Sequence, residues 1–340
     1  MFRRGPGKAA GEWTGRAVRI EGGTRNDAPD LRLQSDAPVT VLMATYNGAA
    51  FLDEQVRSIA AQTGVGRIDM RVSDDGSTDG TLEKLADWAR RWNRGQFEVA
   101  AGPGKGFAEN FRSMAANAGA IEGFAAFSDQ DDLWHADKLA SALALLDPRA
   151  GPAVYLSRTR LVDVTGRHLG ESPLFARPPS FRNAIVQSIG GGNTIVFNRP
   201  GFDLFAESAR RTGFVSHDWW AYMIVTGGGG TAVYDPVPHI DYRQHGSNLV
   251  GANNDWPARL DRLRRLLAGR FADWTVQNLA ALDTCRDLLT AESRQIVDDL
   301  KAIRAARLPD NVRRLRRLGL YRQTTLGNLG LAVAVAIGKL

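Results

Sequence analysis

The chain has 340 residues, 44% apolar and 24% charged, with a formal net charge of +6; this is ordinary globular composition. A single cysteine, Cys285, excludes an internal disulfide framework and a cysteine-rich zinc site. No run approaches the roughly 18 apolar residues of a membrane span, and no apolar stretch follows Arg3, Arg4 and Lys8, so neither an anchor nor a signal peptide is expected and the cytoplasm is the expected compartment.

Residues 1–37 are rich in Gly, Arg, Asp and Pro without apolar periodicity, which predicts a disordered leader. Val39–Thr45 is then a β-branched apolar run between Pro38 and Asn47-Gly48, the pattern of a buried strand ending in a turn. Helical spacing follows over residues 51–62, a second strand over 68–72 and a polar loop from Asp74 to Gly80. Thr81–Arg91 predicts a second helix, Phe97–Ala101 a third strand, residues 107–118 a third helix and 124–127 a fourth strand. The turn Gly102-Pro103-Gly104-Lys105-Gly106 is not the G-x-G-x-x-G dinucleotide fingerprint, and no P-loop pattern is present; a glycine-rich turn before a helix could still present N–H groups to a phosphate, with a plain loop as the favoured reading of its glycines.

Strands alternating with amphipathic helices predict an α/β fold with a mostly parallel sheet covered on both faces. Ligands of such sheets bind beyond the carboxyl ends of the strands. Three polar clusters fall at those ends: Thr45-Tyr46-Asn47, Asp74-Asp75 and Asp129-Gln130-Asp131-Asp132. The last is the most telling. Carboxylates this close disfavour one another's ionised form, so the cluster calls for a cation or a donor-rich partner. Oxygen ligands at a ligand-binding edge suit Mg²⁺ or Mn²⁺, which hold substrate phosphates through one or two carboxylates. The alternative is a solvated loop in which Asp131 or Asp132 caps the next helix.

In its second half, residues 153–164 read as a hairpin-like pair of strands turning later at Thr165-Gly166-Arg167. Gly190-Gly191-Gly192-Asn193 precedes a strand over 194–198; three glycines permit close backbone approach or a bulge. His217-Asp218-Trp219-Trp220 opens a helix, where Asp218 would favour the N-terminus electrostatically. Trp219 and Trp220 are candidates for the floor of a sugar site, with core packing as the alternative. A short strand then leads into Tyr242-Arg243-Gln244-His245-Gly246-Ser247-Asn248, where Arg243 and His245 stand close enough in sequence to neutralise a diphosphate.

With these residues placed, the chain resembles the inverting family 2 glycosyltransferases of the GT-A fold, and within them the bacterial rhamnosyltransferase-like branch. The resemblance rests on Val41–Gly48, Ser73–Gly80, Phe127–Trp134, His217–Trp220 and Tyr242–Asn248, spanning about residues 38 to 250, with a fainter match at Leu320–Gln323. It implies base contacts for Tyr46 and Asp75, with Thr45, Asn47 and Asp74 nearby in the donor site. It implies Asp131 as the direct ligand of Mg²⁺ or Mn²⁺, Asp129 on the ribose or the metal's water, and Asp218 as general base. Many relatives carry a hydroxyl residue where this chain has Ala44, so a contact there would use backbone.

The expected domains are a leader (1–37), a GT-A catalytic domain (38–255, divided into a nucleotide-binding half 38–135 and an acceptor half 136–255) and a basic helical region (256–340). From Trp256 to Arg322, fifteen Lys/Arg face eight Asp/Glu. Apolar stripes (Leu260, Leu263, Leu266, Leu267; then Leu308, Val312, Leu315, Leu318), the flanking Arg313, Arg314, Arg316 and Arg317, and the apolar run 329–337 suggest an interfacial segment on an anionic membrane, peripheral to the inner face of the plasma membrane. Helices packed on the catalytic domain, or a dimer contact, are the alternatives. No stacking or groove-reading motif accompanies the charge, so nucleic acid is not an expected partner. The resemblance implies transfer of a sugar, L-rhamnose from dTDP-rhamnose as first choice, to a surface polysaccharide or lipid-linked glycan. Another dTDP- or UDP-sugar, a nucleotidyltransferase and a non-catalytic nucleotide-sugar binder stand as rivals.

Overall fold

The computed structural model describes residues 36–146, 151–245 and 270–340. The expected leader up to residue 35, the first leucine stripe of the tail, and Gly246, Ser247 and Asn248 lie outside the described residues.

The first half follows the predicted order closely: β1 (Val39–Thr45), α1 (Leu52–Ala60), β2 (Ile68–Asp74), α2 (Thr81–Arg91), β3 (Phe97–Ala101), α3 (Phe107–Asn117) and β4 (Phe124–Ser128). Strand β1 lies between β2 and β4 and is parallel to both; β3 continues the sheet beyond β2. Alternate residues of β1 enter different cores. Val39, Val41 and Met43 pack with Leu52, Val56 and Leu85 of α1 and α2, whereas Leu42 packs with Phe111 of α3. Burial on both faces is why the strand reads as a continuous apolar run rather than an alternating one.

After β5 (Leu133–Trp134) and α4 (Lys138–Leu146), the chain departs from the simple reading. Residues 153–164 do not form one strand pair. They divide into β6 (Ala153–Ser157), which joins the main sheet, and β7 (Arg160–Val162), which joins a second sheet. The hairpin is made instead by β7 with β8 (His168–Glu171), through the Asp163–Arg167 turn that the glycine at 166 signals. Past α5 (Phe181–Ala184), the strand expected at 194–198 begins late. Gly192–Thr194 is a 3₁₀ turn, and β9 (Val196–Asn198) runs antiparallel to both β4 and β6. Then come α6 (Arg199–Arg211), α7 (His217–Gly227), β10 (Thr231–Asp235) and β11 (Ile240–Arg243). The main sheet has the order β10-β6-β9-β4-β1-β2-β3, and the small one β5-β11-β7-β8.

The tail forms α8 (Arg270–Thr284), α9 (Ala291–Ala305), α10 (Asp310–Leu318) and α11 (Thr325–Ala336). Leu282, Val297, Leu300, Leu315 and Leu318 share one core with Phe205 and Tyr222. Polar ties fix the junction: Asn183 Nδ2 donates to the Tyr321 carbonyl at 2.9 Å, and the Gln323 N–H donates to Gln187 Oε1 at 2.8 Å. The Leu315–Leu318 stripe therefore faces protein, which corrects its reading as a lipid-facing surface.

Candidate active site

Register brings the three predicted clusters to one sheet edge. Thr45 stands opposite Asp74, Asp74 opposite Ala101, and Met43 opposite Ser128, so the loops after β1, β2, β3 and β4 leave side by side.

The loop after β2 is held by its first aspartate. The Asp74 carboxylate accepts from the Thr45 hydroxyl at 2.8 Å, from the Ser77 N–H and hydroxyl at 2.8 and 2.6 Å, and from the Gly76 N–H at 3.2 Å. These donors hold its pKa below the usual carboxylate range although burial pushes the other way. Thr45 and Asp74, both buried, thus shape the loop, and Asp74 also lines the cavity at this edge. Asn47 does similar work. It takes a left-handed backbone (φ 49°), its side-chain oxygen accepts from the Thr78 N–H at 2.8 Å, and its own N–H donates to Ser77 Oγ.

Asp75 has a different setting. Its two oxygens each accept one N–H, from Gly104 and Gly106 at 2.7 Å, so the glycine-rich turn wraps a carboxylate. Both glycines have positive φ, and a Cβ on Gly102 would come within 2.7 Å of the Asp75 carboxylate. The plain-loop reading missed this purpose. Asp75, Leu82, Val99, Pro103 and the backbone of Ala100–Gly102 line an open cavity of about 460 Å³. Leu82 and Val99 are exposed apolar walls there, beside a carboxylate with lone pairs still to offer. Tyr46 projects at the same edge, 59% exposed.

The acidic corner follows β4. Burial first, then repulsion from Asp131 and Asp218, pushes Asp129 up to about 7. Asp132 is fully buried and raised as well, by burial and then by its two neighbours; it accepts from Asn193 Nδ2 at 2.5 Å. Helix α4 starts only at Lys138, so Asp132 is no helix cap, and that expectation is corrected. Beneath the corner, the buried Lys138 ammonium sits 3.2 Å from the Trp134 ring centroid with no hydrogen-bond partner among the described residues. Burial lowers its pKa, while Asp132 and Asp129 act in the opposite sense.

Asp131 Oδ2 lies 2.9 Å from His245 Nε2, whose ring stacks on Phe51. His245 thus meets the candidate metal ligand itself. Arg243 does not stand open to a diphosphate. It is buried, its Nε donates to the Asp131 carbonyl at 3.1 Å, its Nη1 to the Val164 carbonyl at 3.0 Å, and Nη2 pairs with Glu54. That corrects its assignment as a phosphate contact: the guanidinium ties the corner to α1 and to the small sheet.

Asp218 is in the first turn of α7. Its Oδ1 accepts from the Trp219 N–H at 2.7 Å and from the Ser216 hydroxyl, while no bond to Oδ2 is found among the described residues. Its charge reaches the acidic corner: it helps raise Asp129, and with Asp129, Asp131 and Asp132 it helps raise Tyr242. The tryptophans beside it turn inward. Trp220 is fully buried, with Nε1 donating to Ser208 Oγ at 2.9 Å; Trp219 is 7% exposed, with Nε1 on the Ala184 carbonyl and its face toward Phe271. The sugar-floor assignment is corrected to core for both. His217, also buried, stacks on Phe111 at 3.9 Å, and a Cβ on Gly192 would lie 1.9 Å from its Nε2. Gly192 is glycine so that this ring can fit.

A divalent cation fits the donor chemistry of the corner. Asp129 has no hydrogen-bond donor on its carboxylate among the described residues, and Asp131 offers a second oxygen set beside it. No group of three His, Cys, Asp or Glu residues forms a ready metal cage among the described residues.

A family model for glycosyl transferase family 2 matches residues 40–204. The dTDP-rhamnosyl transferase RfbG of Shigella flexneri is 29% identical over 234 residues, covering 65% of this chain and 78% of that protein. The crystal structure of S. aureus TarS residues 1–349 in complex with UDP-GlcNAc superposes with a TM-score of 0.50 at 17% identity, covering 89% of each chain. The shared architecture is the GT-A fold, with a helical region following the catalytic sheet. Over residues 40–204 the chain therefore carries a glycosyl transferase family 2 domain.

Proposed function

We propose that the chain is an inverting transferase that moves L-rhamnose from a dTDP donor to a hydroxyl of a cell-surface polysaccharide or lipid-linked glycan at the inner face of the plasma membrane. Similarity to the Shigella rhamnosyl transferase supports this donor ahead of other dTDP- or UDP-sugars. The cleft supports a pyrimidine: Asp75 offers an acceptor for a ring N–H, and Leu82, Val99 and Pro103 offer apolar walls. The observation that supports the reading is the convergence of the loops after β1, β2 and β4 at one sheet edge, with Asp129 and Asp131 there and Asp218 in the first turn of α7 adding its charge to the field at Asp129.

Asp218 Oδ2 takes the proton of the acceptor hydroxyl, a contribution of order 10²–10⁴ in rate. The freed oxygen lone pair bonds to the anomeric carbon as the bond to the diphosphate breaks on the opposite face, and the diphosphate leaves with that electron pair. A divalent cation held by Asp131 with Asp129 would offset charge on the departing diphosphate. Asp74, Thr45 and Asn47 act beforehand by fixing the loop that carries Asp75 and Tyr46.

Thermal unfolding of the purified full chain against a panel of nucleotide sugars, with Mn²⁺ or with EDTA, tests the reading. dTDP-rhamnose with Mn²⁺ should protect most, and transfer should follow with inversion. Protection by no nucleotide sugar, or protection indifferent to EDTA, overturns it.

A further inference from the structure

Helices α10 and α11 lie together as an antiparallel pair, tied where Asn311 Nδ2 donates to the Val335 carbonyl at 2.8 Å. Each buries one side. Asn311, Leu315 and Leu318 of α10, and Leu331, Ala334 and Val335 of α11, face the protein. The opposite sides differ in kind. On α11 the outward stripe is Leu326, Leu329, Val333 and, at its end, Ile337, exposed by 78, 61, 45 and 49%, and the helix carries no charged residue. Its spacing of three and four places one continuous apolar face in water. On α10 the outward side is Arg313, Arg314, Arg316 and Arg317, all exposed. Arg313 reaches Asp310 at 3.4 Å, while the other three have no carboxylate partner among the described residues.

A stripe this apolar is costly to leave in water, and the arginines beside it select against a cationic or neutral cover. We propose that this face docks on an anionic lipid surface, with the α11 leucines entering the acyl boundary and the α10 arginines meeting the headgroups. The geometry is interfacial rather than spanning, since no helix among the described residues is long and apolar enough to cross a membrane. The inference deepens the reading of a membrane-presented acceptor and rests on it for its purpose. The surface that the structure brings forward differs from the Leu315–Leu318 stripe, which is buried.

The test is co-sedimentation of the full chain with vesicles of phosphatidylcholine alone or with one quarter phosphatidylglycerol, without donor or acceptor. Glycosyl transfer can then fail while docking holds, and the reverse. Binding should require the anionic lipid and weaken at high salt. L326E/L329E/V333E should lower the partition coefficient more than tenfold. A second variant, R313S/R314S/R316S/R317S, leaves the apolar stripe whole and should do likewise, at roughly severalfold per arginine. Circular dichroism melting checks both folds. Wild-type protein that stays in the supernatant overturns the proposal, as does undiminished binding by a folded variant. A wild-type dimer in light scattering that L326E/L329E/V333E converts to monomer, without lipid, assigns the face to a second copy and also overturns it.

Discussion

Gln130 clasps Tyr46 at both backbone groups: its Oε1 accepts the Tyr46 N–H at 2.8 Å, and its Nε2 donates to the Tyr46 carbonyl at 2.9 Å. The middle residue of the acidic corner is therefore what locks the loop after β1 to the loop after β4. Gly48 leaves the room, since a Cβ there would come within 2.1 Å of the Gln130 amide oxygen. Each of these bonds contributes about 1 kcal/mol net. Gln130→Ala should raise the dissociation constant for the nucleotide sugar about tenfold with a smaller change in kcat. Isothermal titration with donor checks the affinity. A loss of kcat at unchanged donor affinity would instead assign Gln130 a part in the transfer step.

Arg243 gives a test of structure against binding. Its guanidinium links Glu54, the Asp131 carbonyl and the Val164 carbonyl, and lies 4.8 Å from the Phe51 ring centroid. Arg243→Met keeps much of the apolar volume but removes the three hydrogen bonds of a buried guanidinium, so it should cost about 1–3 kcal/mol of stability. Urea unfolding without any ligand reads that loss. A phosphate contact would show the reverse pattern, with stability kept and donor affinity lost.

The first half was legible because β1, β2 and β4 are buried and each helix shows one apolar face, so period and punctuation coincide there, while the exposed edge strand β3 was marked by its punctuation alone. Even the edge was legible, since polar clusters directly after apolar runs have only one end of a parallel sheet to occupy. The partner of each cluster was not. Asp74 and Asp75 are adjacent in sequence, yet one is engaged by its own loop and by Thr45 of β1, and the other anchors a turn about thirty residues away. No local pattern separates them. Arg243 looks like a phosphate ligand for the same reason: charge density in a loop does not reveal the Glu54 that faces it. Lys138 and Asn193, which pack around Asp132, carried no sequence signal beyond the glycines before Asn193.

Asp218 should be separable from the donor site. Its Oδ1 is anchored by Trp219 N–H and Ser216, so Asp218→Asn keeps the shape and removes the proton acceptor. Transfer should fall by a factor of order 10²–10⁴ while protection by the nucleotide sugar stays within about twofold. Asp131→Asn should do the opposite to binding, abolishing the Mn²⁺-dependent part of the thermal protection. Retained turnover in Asp218→Asn would remove it from the reaction.

His217 sets an acid limit on stability. Burial pushes its imidazole down to about 4, with Asp218 acting in the opposite sense, and neither ring nitrogen has a hydrogen-bond partner among the described residues. The folded state therefore keeps the ring neutral where the unfolded chain, at its ordinary value near 6.5, takes up a proton. The stability this group contributes is present above about pH 6.5 and drains away as the pH falls toward 4, by about 3 kcal/mol in all. His217→Leu fills the same slot against Phe111 and Gly192 without a titrating group. Urea unfolding at pH 7 and at pH 5 should show wild type losing about 2 kcal/mol more than the variant over that interval. Parallel losses in the two proteins would mean that the ring finds a proton acceptor in the folded state and titrates near its ordinary value.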